Sequence, residues 1–406
     1  MAYDVLVVGG GPVGCQAAHR LARSGWSVAI LEQEPNHERP ICCTGIVSEE
    51  CLNEFEMDAS LVFYHSRSAT LSSPSGRRIR LERRSPQAAT IDRPAFNAFM
   101  AKRARQSGVD YAAGTRVVDI TVGRDEVQIV AKSQGEAAQY QARAVILATG
   151  SDGTLSDRIG LARPRSVVGG AQVEVRTNGM AEVEVYLGRR VAPHLFAWLV
   201  PTRQDRALAG LLARVNPRGH LIVFLDFLRG QNRISETTSG LTSAALPLRA
   251  ISKSYADRIL VVGTAAGLVK PTTGGGIYYG LLSAEIAAEV LGQALADGDL
   301  SRHALSLYQR RWRQKFEGEF SASSRARALF EHMNDAQLDH AFDIMSQPGR
   351  LETLLEAEGM SFDWHAKAIT HLLRERTLAK LINGVKFPFP SVRHAQGRPF
   401  TEGDSK

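Results

Sequence analysis

The sequence predicts an α/β protein in which a doubly wound, largely parallel sheet is interrupted by an antiparallel sheet and closed by helices. The chain opens on an apolar run, a glycine-rich turn and a helix-spaced segment, the order of a βαβ unit. A strand–glycine–helix pattern returns far downstream, at 259–290. Between the two, from about 165 to 250, apolar and polar positions alternate as in strands half buried on a core.

The opening unit runs from Tyr3 to Glu34. Val5 to Val8 form a short apolar run that suits a buried parallel strand. Gly9, Gly11 and Gly14 follow as G-x-G-x-x-G, then Ala17, Ala18, Leu21 and Ala22 at helical spacing, with Gly25 as the stop. A second strand, 27–31, ends at Glu32. In such a unit the first glycine makes the tight turn, the second admits a pyrophosphate to the backbone, and the third lets helix and strand approach. The helix N-terminus offers free N–H groups and the positive end of its dipole to phosphates. Glu32 is placed to accept hydrogen bonds from a ribose. Strand, fingerprint, helix, strand and acid occur in sequence, so the unit is read as a dinucleotide site.

The later pattern begins with the strand 259–263, "ILVVG", followed by "TAAGLVKPTTGGGIYYGLLSAEIAAEVL". Gly274, Gly275 and Gly276 stand where a helix should begin, so their N–H groups are placed to meet an anion or a carbonyl. A long ligand held at both ends by distant segments explains the doubling. FAD has that length, whereas NAD on a single Rossmann half needs no second segment.

Composition narrows the alternatives. The 406 residues carry 49 basic and 42 acidic side chains, a net charge of +7 that favours anionic partners. The arginines are scattered apart from "RRIRLERR" at 77–84, which argues against nucleic acid. All four cysteines (Cys15, Cys42, Cys43 and Cys51) fall early in the chain, unlike a disulfide framework, and a reduced cytoplasmic setting is expected. With His37 they match no familiar zinc spacing, so no metal is expected. No signal peptide and no membrane span are expected, since the longest apolar run, "LIVFLDFL" at 221–228, is short and contains Asp226.

Four segments together resemble the FAD-dependent oxidoreductases of the aromatic-hydroxylase fold, and within them the geranylgeranyl reductase family. They are the opening unit; "IDRPAFNAFMAKRARQSGVDYAAGTRVVDI" at 91–120; "AVILATGSDGTLSDRIG" at 144–160; and "GTAAGLVKPTTGGGI" at 263–277. The resemblance spans the chain from 1 to about 290. It implies a discontinuous FAD domain, 1–164 and 251–300, an inserted substrate sheet, 165–250, and a helical C-terminal region, 301–406. It implies FAD contacts from Gly9, Gly11, Pro12, Val13, Gly14, Glu32, Gln33, Cys43, Thr44, Arg93, Val117, Thr149, Gly150, Thr264, Gly267, Pro271, Gly274, Gly275, Gly276 and Ile277. One position departs from the family. Thr264 stands where the motif has an aspartate, keeping a hydroxyl but losing a charged acceptor. A hydrogen bond to a charged group contributes roughly 1.5–3 kcal/mol, so FAD is expected to bind, less tightly.

"PHLFAWLVP" at 193–201 resembles the family's P-x-x-Y-x-W-x-F-P motif, with Phe196 for tyrosine and Val200 for phenylalanine. On a strand Phe196, Trp198 and Val200 share one face, either as plain core or as the wall of a prenyl-chain site. "RPICCTGIVSEEC" at 39–51 is similar to the Cys-Gly segment beside the flavin ring. Cys43 and Cys42 are therefore candidate catalytic residues that tune the flavin or donate a proton; the alternative is two buried structural thiols. The chemistry implied is hydride transfer from N5 of reduced flavin to an isolated double bond of a prenylated molecule or lipid, with a proton added to the other carbon. Electrons would come from NAD(P)H or a ferredoxin. A flavin monooxygenase or halogenase acting on an aromatic substrate shares the fold and is the alternative, since "FAWLVP" also resembles the halogenase W-x-W-x-I-P motif. A non-catalytic flavin or lipid carrier is the third reading. The helical tail ends in "VKFPFPSVRH", 385–394, whose aromatics and basic residues suit contact with a membrane surface or packing on the FAD domain.

Overall fold

The computed structural model describes residues 2–36, 41–133, 135–164, 166–356 and 360–374. Its central sheet has the order Tyr255–Ala256, Ile259–Val261, Glu136–Leu147, Ala2–Val8, Val28–Leu31, Asp110–Ala112. The pairs Ala2–Val8 with Val28–Leu31, Ala2–Val8 with Glu136–Leu147, and Glu136–Leu147 with Ile259–Val261 are all parallel. These strands read as continuous apolar runs because helices cover both faces, leaving Val5, Leu6, Val7, Ile30 and Ile146 without solvent contact. Glu136–Leu147 serves two partners: its first half pairs antiparallel with Val127–Ser133, which pairs in turn with Thr115–Val122. The early strand and the late one thus belong to one sheet, as the repeated glycine pattern anticipates.

A second sheet has the order Ile234–Thr237, Val167–Thr177, Arg206–Ala213, Phe196–Pro201, Val183–Leu187, Ser68–Ser72, Arg78–Glu82, with Thr242–Pro247 also paired to Val167–Thr177. Two corrections to the expected insertion follow. Ser68–Ser72 and Arg78–Glu82 come from within 1–164 yet extend this sheet, and Ser68–Ser72 lies parallel to Val183–Leu187, so the sheet is mixed. The reason is edge pairing: a hairpin from the first segment covers backbone groups that Val183–Leu187 would otherwise expose.

The apolar run at 221–228 is a helix, not a strand. Asn216 caps Pro217–Gly230, its side chain accepting from Gly219 N at 3.1 Å, and Pro217 occupies the first turn. Leu221, Phe224, Leu225 and Leu228 recur at helical spacing and pack with Tyr186, Ala197, Leu199 and Leu211 on one face of the second sheet.

The C-terminal region is helical as expected. Arg302–His332 seals the end of the central sheet, where Tyr308 Oη donates to Val261 O at 2.9 Å and Trp312 Nε1 to Ser254 Oγ at 3.0 Å. Asp335–Met345 reaches the second sheet, Asp339 accepting from Ser75 N at 3.1 Å. The stretch "VKFPFPSVRH" lies outside the described residues, and no helix among the described residues is long and apolar enough to cross a membrane. Because Phe224 is fully buried between helix and sheet, Phe224→Ala is expected to lower stability by about 3–5 kcal/mol in urea denaturation.

Candidate cofactor site and the adjoining apolar cluster

The first glycine turn leaves the parallel strand Ala2–Val8 and enters the helix Pro12–Arg23. Gly11 is the N-cap residue, contributes no side-chain cap, and faces open space, so N–H groups of the first turn remain available to a ligand. Gly14 is where helix and strand meet: a Cβ there would stand 2.0 Å from Gly9 O. Glu32 braces the loop from the next strand. Its carboxylate accepts from Gly10 N at 2.5 Å and from Glu34 N at 2.8 Å. Tyr111 Oη donates to Gly10 O at 3.2 Å, and burial holds that phenol above its ordinary pKa. Cys15 donates to the same carbonyl at 3.2 Å, and burial pushes its thiol up to about 12. It is a structural thiol.

Beside this loop lies a cavity of about 330 Å³. It brings together Gly9, Gly11, Glu32, Gln33, Val117, Thr149 and Gly150, residues drawn from four separate stretches of sequence. The cavity also uses Asp152, from the Asp-Gly turn of the 144–160 segment, and Arg116 and Arg158, which no motif singles out. Arg116 could have been found only through its neighbour Val117, because its role depends on which face of Thr115–Val122 turns inward. Gly10 is likewise invisible in the fingerprint, although a Cβ there would collide with Tyr111 Oη at 2.2 Å.

The second glycine turn meets the first through Val13. A Cβ on Gly263 would stand 3.0 Å from Val13 Cγ1, and one on Gly280 2.7 Å from Val13 Cγ2. The helices Pro12–Arg23 and Ile277–Asp297 are therefore packed closely side by side, with Gly276 as the uncapped N-cap of the second. Thr264 lies in the short 3₁₀ turn Gly263–Ala266, its hydroxyl 3.7 Å from where a Cβ of Gly276 would be. Gly267 and Pro271 shape the turn rather than face open space: a Cβ on Gly267 would meet Arg249 O at 2.3 Å, and Pro271 is buried. Gly275 O accepts from Lys270 N at 2.9 Å, Gly274 N donates to Lys270 O at 2.9 Å and Gly275 N to Thr273 Oγ1 at 3.3 Å, so two of the three N–H groups expected to meet a ligand instead close the loop ahead of Ile277.

Arg93 opens the helix Arg93–Gln106, and its stem packs on Gly45, where a Cβ would lie 3.0 Å from Arg93 Cγ. Its Nε and Nη1 are buried without a hydrogen-bond partner, although the guanidinium lies over Phe96 at 5.2 Å. A buried cation with unmet donors, two uncapped helix N-termini and a cavity lined by the fingerprint glycines fit FAD.

Thr44 and the cysteine pair lean on the second sheet. Thr44 Oγ1 donates to Gln172 Oε1 at 3.4 Å, and Cys43 is half-buried. Cys42 Sγ stands 3.8 Å from the position of a Cβ on Gly170. Burial raises its pKa, so it remains a thiol at neutral pH. Leu212 and Leu246 bridge this cysteine region and the glycine triplet: Leu212 Cδ2 is 3.6 Å from the Gly170 position, and Leu246 Cδ2 2.8 Å from that of Gly274. Phe196 and Trp198 join them in a small apolar cluster with Leu195, Leu248 and Val269, their rings 5.8 Å apart. Trp198 crosses Gly210 on the next strand, where a Cβ would be 2.6 Å away, and its buried Nε1 has no hydrogen-bond partner. Val200 is fully buried further along the same face.

Comparison with known proteins follows the same lines. The model of the pyridine nucleotide-disulphide oxidoreductase family matches residues 3–180. Digeranylgeranylglycerophospholipid reductase 2 of Methanothermobacter thermautotrophicus is 31% identical over 84% of this chain and 90% of its own. Among solved structures, a geranylgeranyl bacteriochlorophyll reductase-like protein from Thermoplasma acidophilum superposes with a TM-score of 0.84 at 23% identity, covering 94% of this chain and 98% of that one. A flavin-dependent brominase superposes with a TM-score of 0.72 at 17% identity, covering 94% of this chain and 100% of the other, a likeness of fold.

Two outcomes test the site. Glu32→Ala removes both backbone contacts and is expected to weaken FAD binding about 10-fold or more in a fluorescence titration, the scale of one charged hydrogen bond. Cys42 carries a raised pKa, so its thiolate forms only above the ordinary cysteine range. Its iodoacetamide labelling, followed by peptide mass spectrometry, should climb at higher pH than that of a free cysteine.

Proposed function

The chain belongs to the digeranylgeranylglycerophospholipid reductase family of flavoproteins, and from that premise we propose that it reduces isolated C=C bonds in the prenyl chains of a lipid. The supporting observation is the position of the apolar cluster. Phe196, Trp198, Leu212 and Leu246 form a surface that adjoins the flavin turn at Val269 and Gly274. Apolar burial at about 25 cal/mol per Å² is what holds an isoprenoid chain.

Bound FAD, once reduced, supplies a hydride to one carbon of the double bond. The residues of this chain do the rest. Phe196 and Trp198 align the chain, Leu212 and Leu246 exclude water, and Cys42, kept as a thiol by burial and sharing the space beside Gly170 with Leu212, is the candidate proton donor. Cys43 occupies the neighbouring half-buried position and is the second candidate donor. Thr264, where the family motif has aspartate, leaves the flavin-binding turn with one fewer charged acceptor. Only one dinucleotide fingerprint is present, so the reducing equivalents come from a transient donor, NAD(P)H or a small acidic iron–sulfur carrier drawn by the net charge of +7. Contact with a membrane surface, where such lipids reside, belongs to the same proposal.

The halogenase-like fold gives the competing reading, oxygen-dependent attack on an aromatic compound. Anaerobic photoreduction of the purified flavoprotein followed by a panel of prenylated lipids separates the two. Reoxidation by digeranylgeranyl lipids, with product heavier by two hydrogens per bond, is expected. Reoxidation by air alone, with no saturated product, would defeat the reductase. Trp198→Ala is expected to lower kcat/KM about 10- to 100-fold, corresponding to the 1.5–3 kcal/mol of a buried apolar side chain. Cofactor content should remain unchanged in that variant.

A further inference from the structure

Lys270 sits inside the second glycine turn, and its side chain is only 1% exposed. A buried ammonium group is costly unless it is paired and hydrogen-bonded. Here the partners come from a segment more than ninety residues away. Nζ donates to Phe362 O at 2.6 Å, lies 3.4 Å from Asp363 Oδ1, and stands 5.2 Å above the Phe362 ring. The other carboxylate oxygen of Asp363 is buried with no partner. The same short stretch is held from several further directions. Tyr279 Oη donates to Asp363 O, Glu319 accepts from His365 N at 2.8 Å and Ala366 N at 2.6 Å, and Trp364 Nε1 donates to Glu50 at 3.4 Å. His365 is kept neutral by burial and by the Lys270 charge, which lower its pKa to about 3.

The main chain of Lys270 does something different. Its N–H bonds to Gly275 O and its carbonyl to Gly274 N, and so they set the shape of the turn that leads into the uncapped N-terminus of Ile277–Asp297. One residue therefore joins the glycine triplet through its backbone to the 361–366 segment through its charge.

We propose that Lys270 is a positioning residue for FAD, and that 361–366 is a clasp whose docking on Lys270 and Asp363 holds the cofactor turn in its binding shape. The inference rests on the FAD assignment and adds a coupling to it. Because linkage is reciprocal, FAD binding must steady the clasp as much as the clasp steadies the turn. A buried ion pair contributes little net stability but fixes geometry, which is what a binding loop of glycines lacks by itself.

The test uses the full-length protein. In wild type, hydrogen exchange of the 361–366 amides is expected to slow when FAD is added to apoprotein. Lys270→Met, which leaves the Asp363 carboxylate buried and unpaired, is expected to raise the FAD Kd about tenfold, within the usual range of coupling between sites. The double variant Lys270→Met/Asp363→Leu replaces the pair by apolar groups and should recover most of the lost affinity. Exchange at 361–366 that ignores FAD would overturn the clasp, as would an unchanged Kd for Lys270→Met. A double variant as weak as the single would also overturn it, since Lys270 would then act on the cofactor directly. Should Lys270→Met fail to fold, the exchange measurement on wild type decides alone. If wild type bound no FAD, the cofactor assignment would fall first and the clasp with it.

Discussion

The architecture depends on how closely two helices approach. Val13, on the first helix, fills the space left by Gly263 and Gly280 at the start of the last strand–helix unit. A side chain larger than hydrogen at either glycine would push the helices apart. With them would go the relation between the glycine turn at the beginning of the chain and the one far along it. A dinucleotide of fixed length cannot follow such a displacement. The parallel pairing of Glu136–Leu147 with both Ala2–Val8 and Ile259–Val261 sets the same distance in the sheet below. Helix contact and strand register thus impose one constraint twice, and the cofactor site inherits it.

The second sheet answers a different requirement. A binding face for a long apolar molecule must stay in place while having no polar network to hold it. The helix Pro217–Gly230 packs on the opposite side of the sheet and supplies the rigidity from behind. The hairpin from 68–82 completes the edge, and the C-terminal helices join the two sheets.

Much of this was legible in the sequence. The fingerprint, the buried strands and the second glycine turn follow from local spacing and from apolar runs too long to be exposed, so the central sheet could be read before it was seen. Alternation on Phe196–Pro201 also held: Ala197 and Leu199 pack toward the helix, Phe196 and Trp198 toward the small cluster with Leu212, Leu246 and Val269. Other features escaped because they arise from pairing across long sequence distance. Ser68–Ser72 carries no mark of the strand it will join. The helix at 217–230 was hidden in an apolar run that is ambiguous between helix and strand until Asn216 and Pro217 are weighed as a cap. Arg116 and Arg158 enter the cavity only through folding, and Lys270 looks in the sequence like any surface lysine. Thr264 was visible as a departure from the family pattern, and the turn is closed by backbone hydrogen bonds that do not involve its side chain.

The two-faced strand Phe196–Pro201 also bears on how such a protein changes over time. Phe196 and Trp198 on one side belong to the cluster with Leu212 and Val269, while Ala197 and Leu199 answer to the helix behind them. Selection can therefore rewrite one side of the strand a position at a time while the packing of the helix on the other side stays in place.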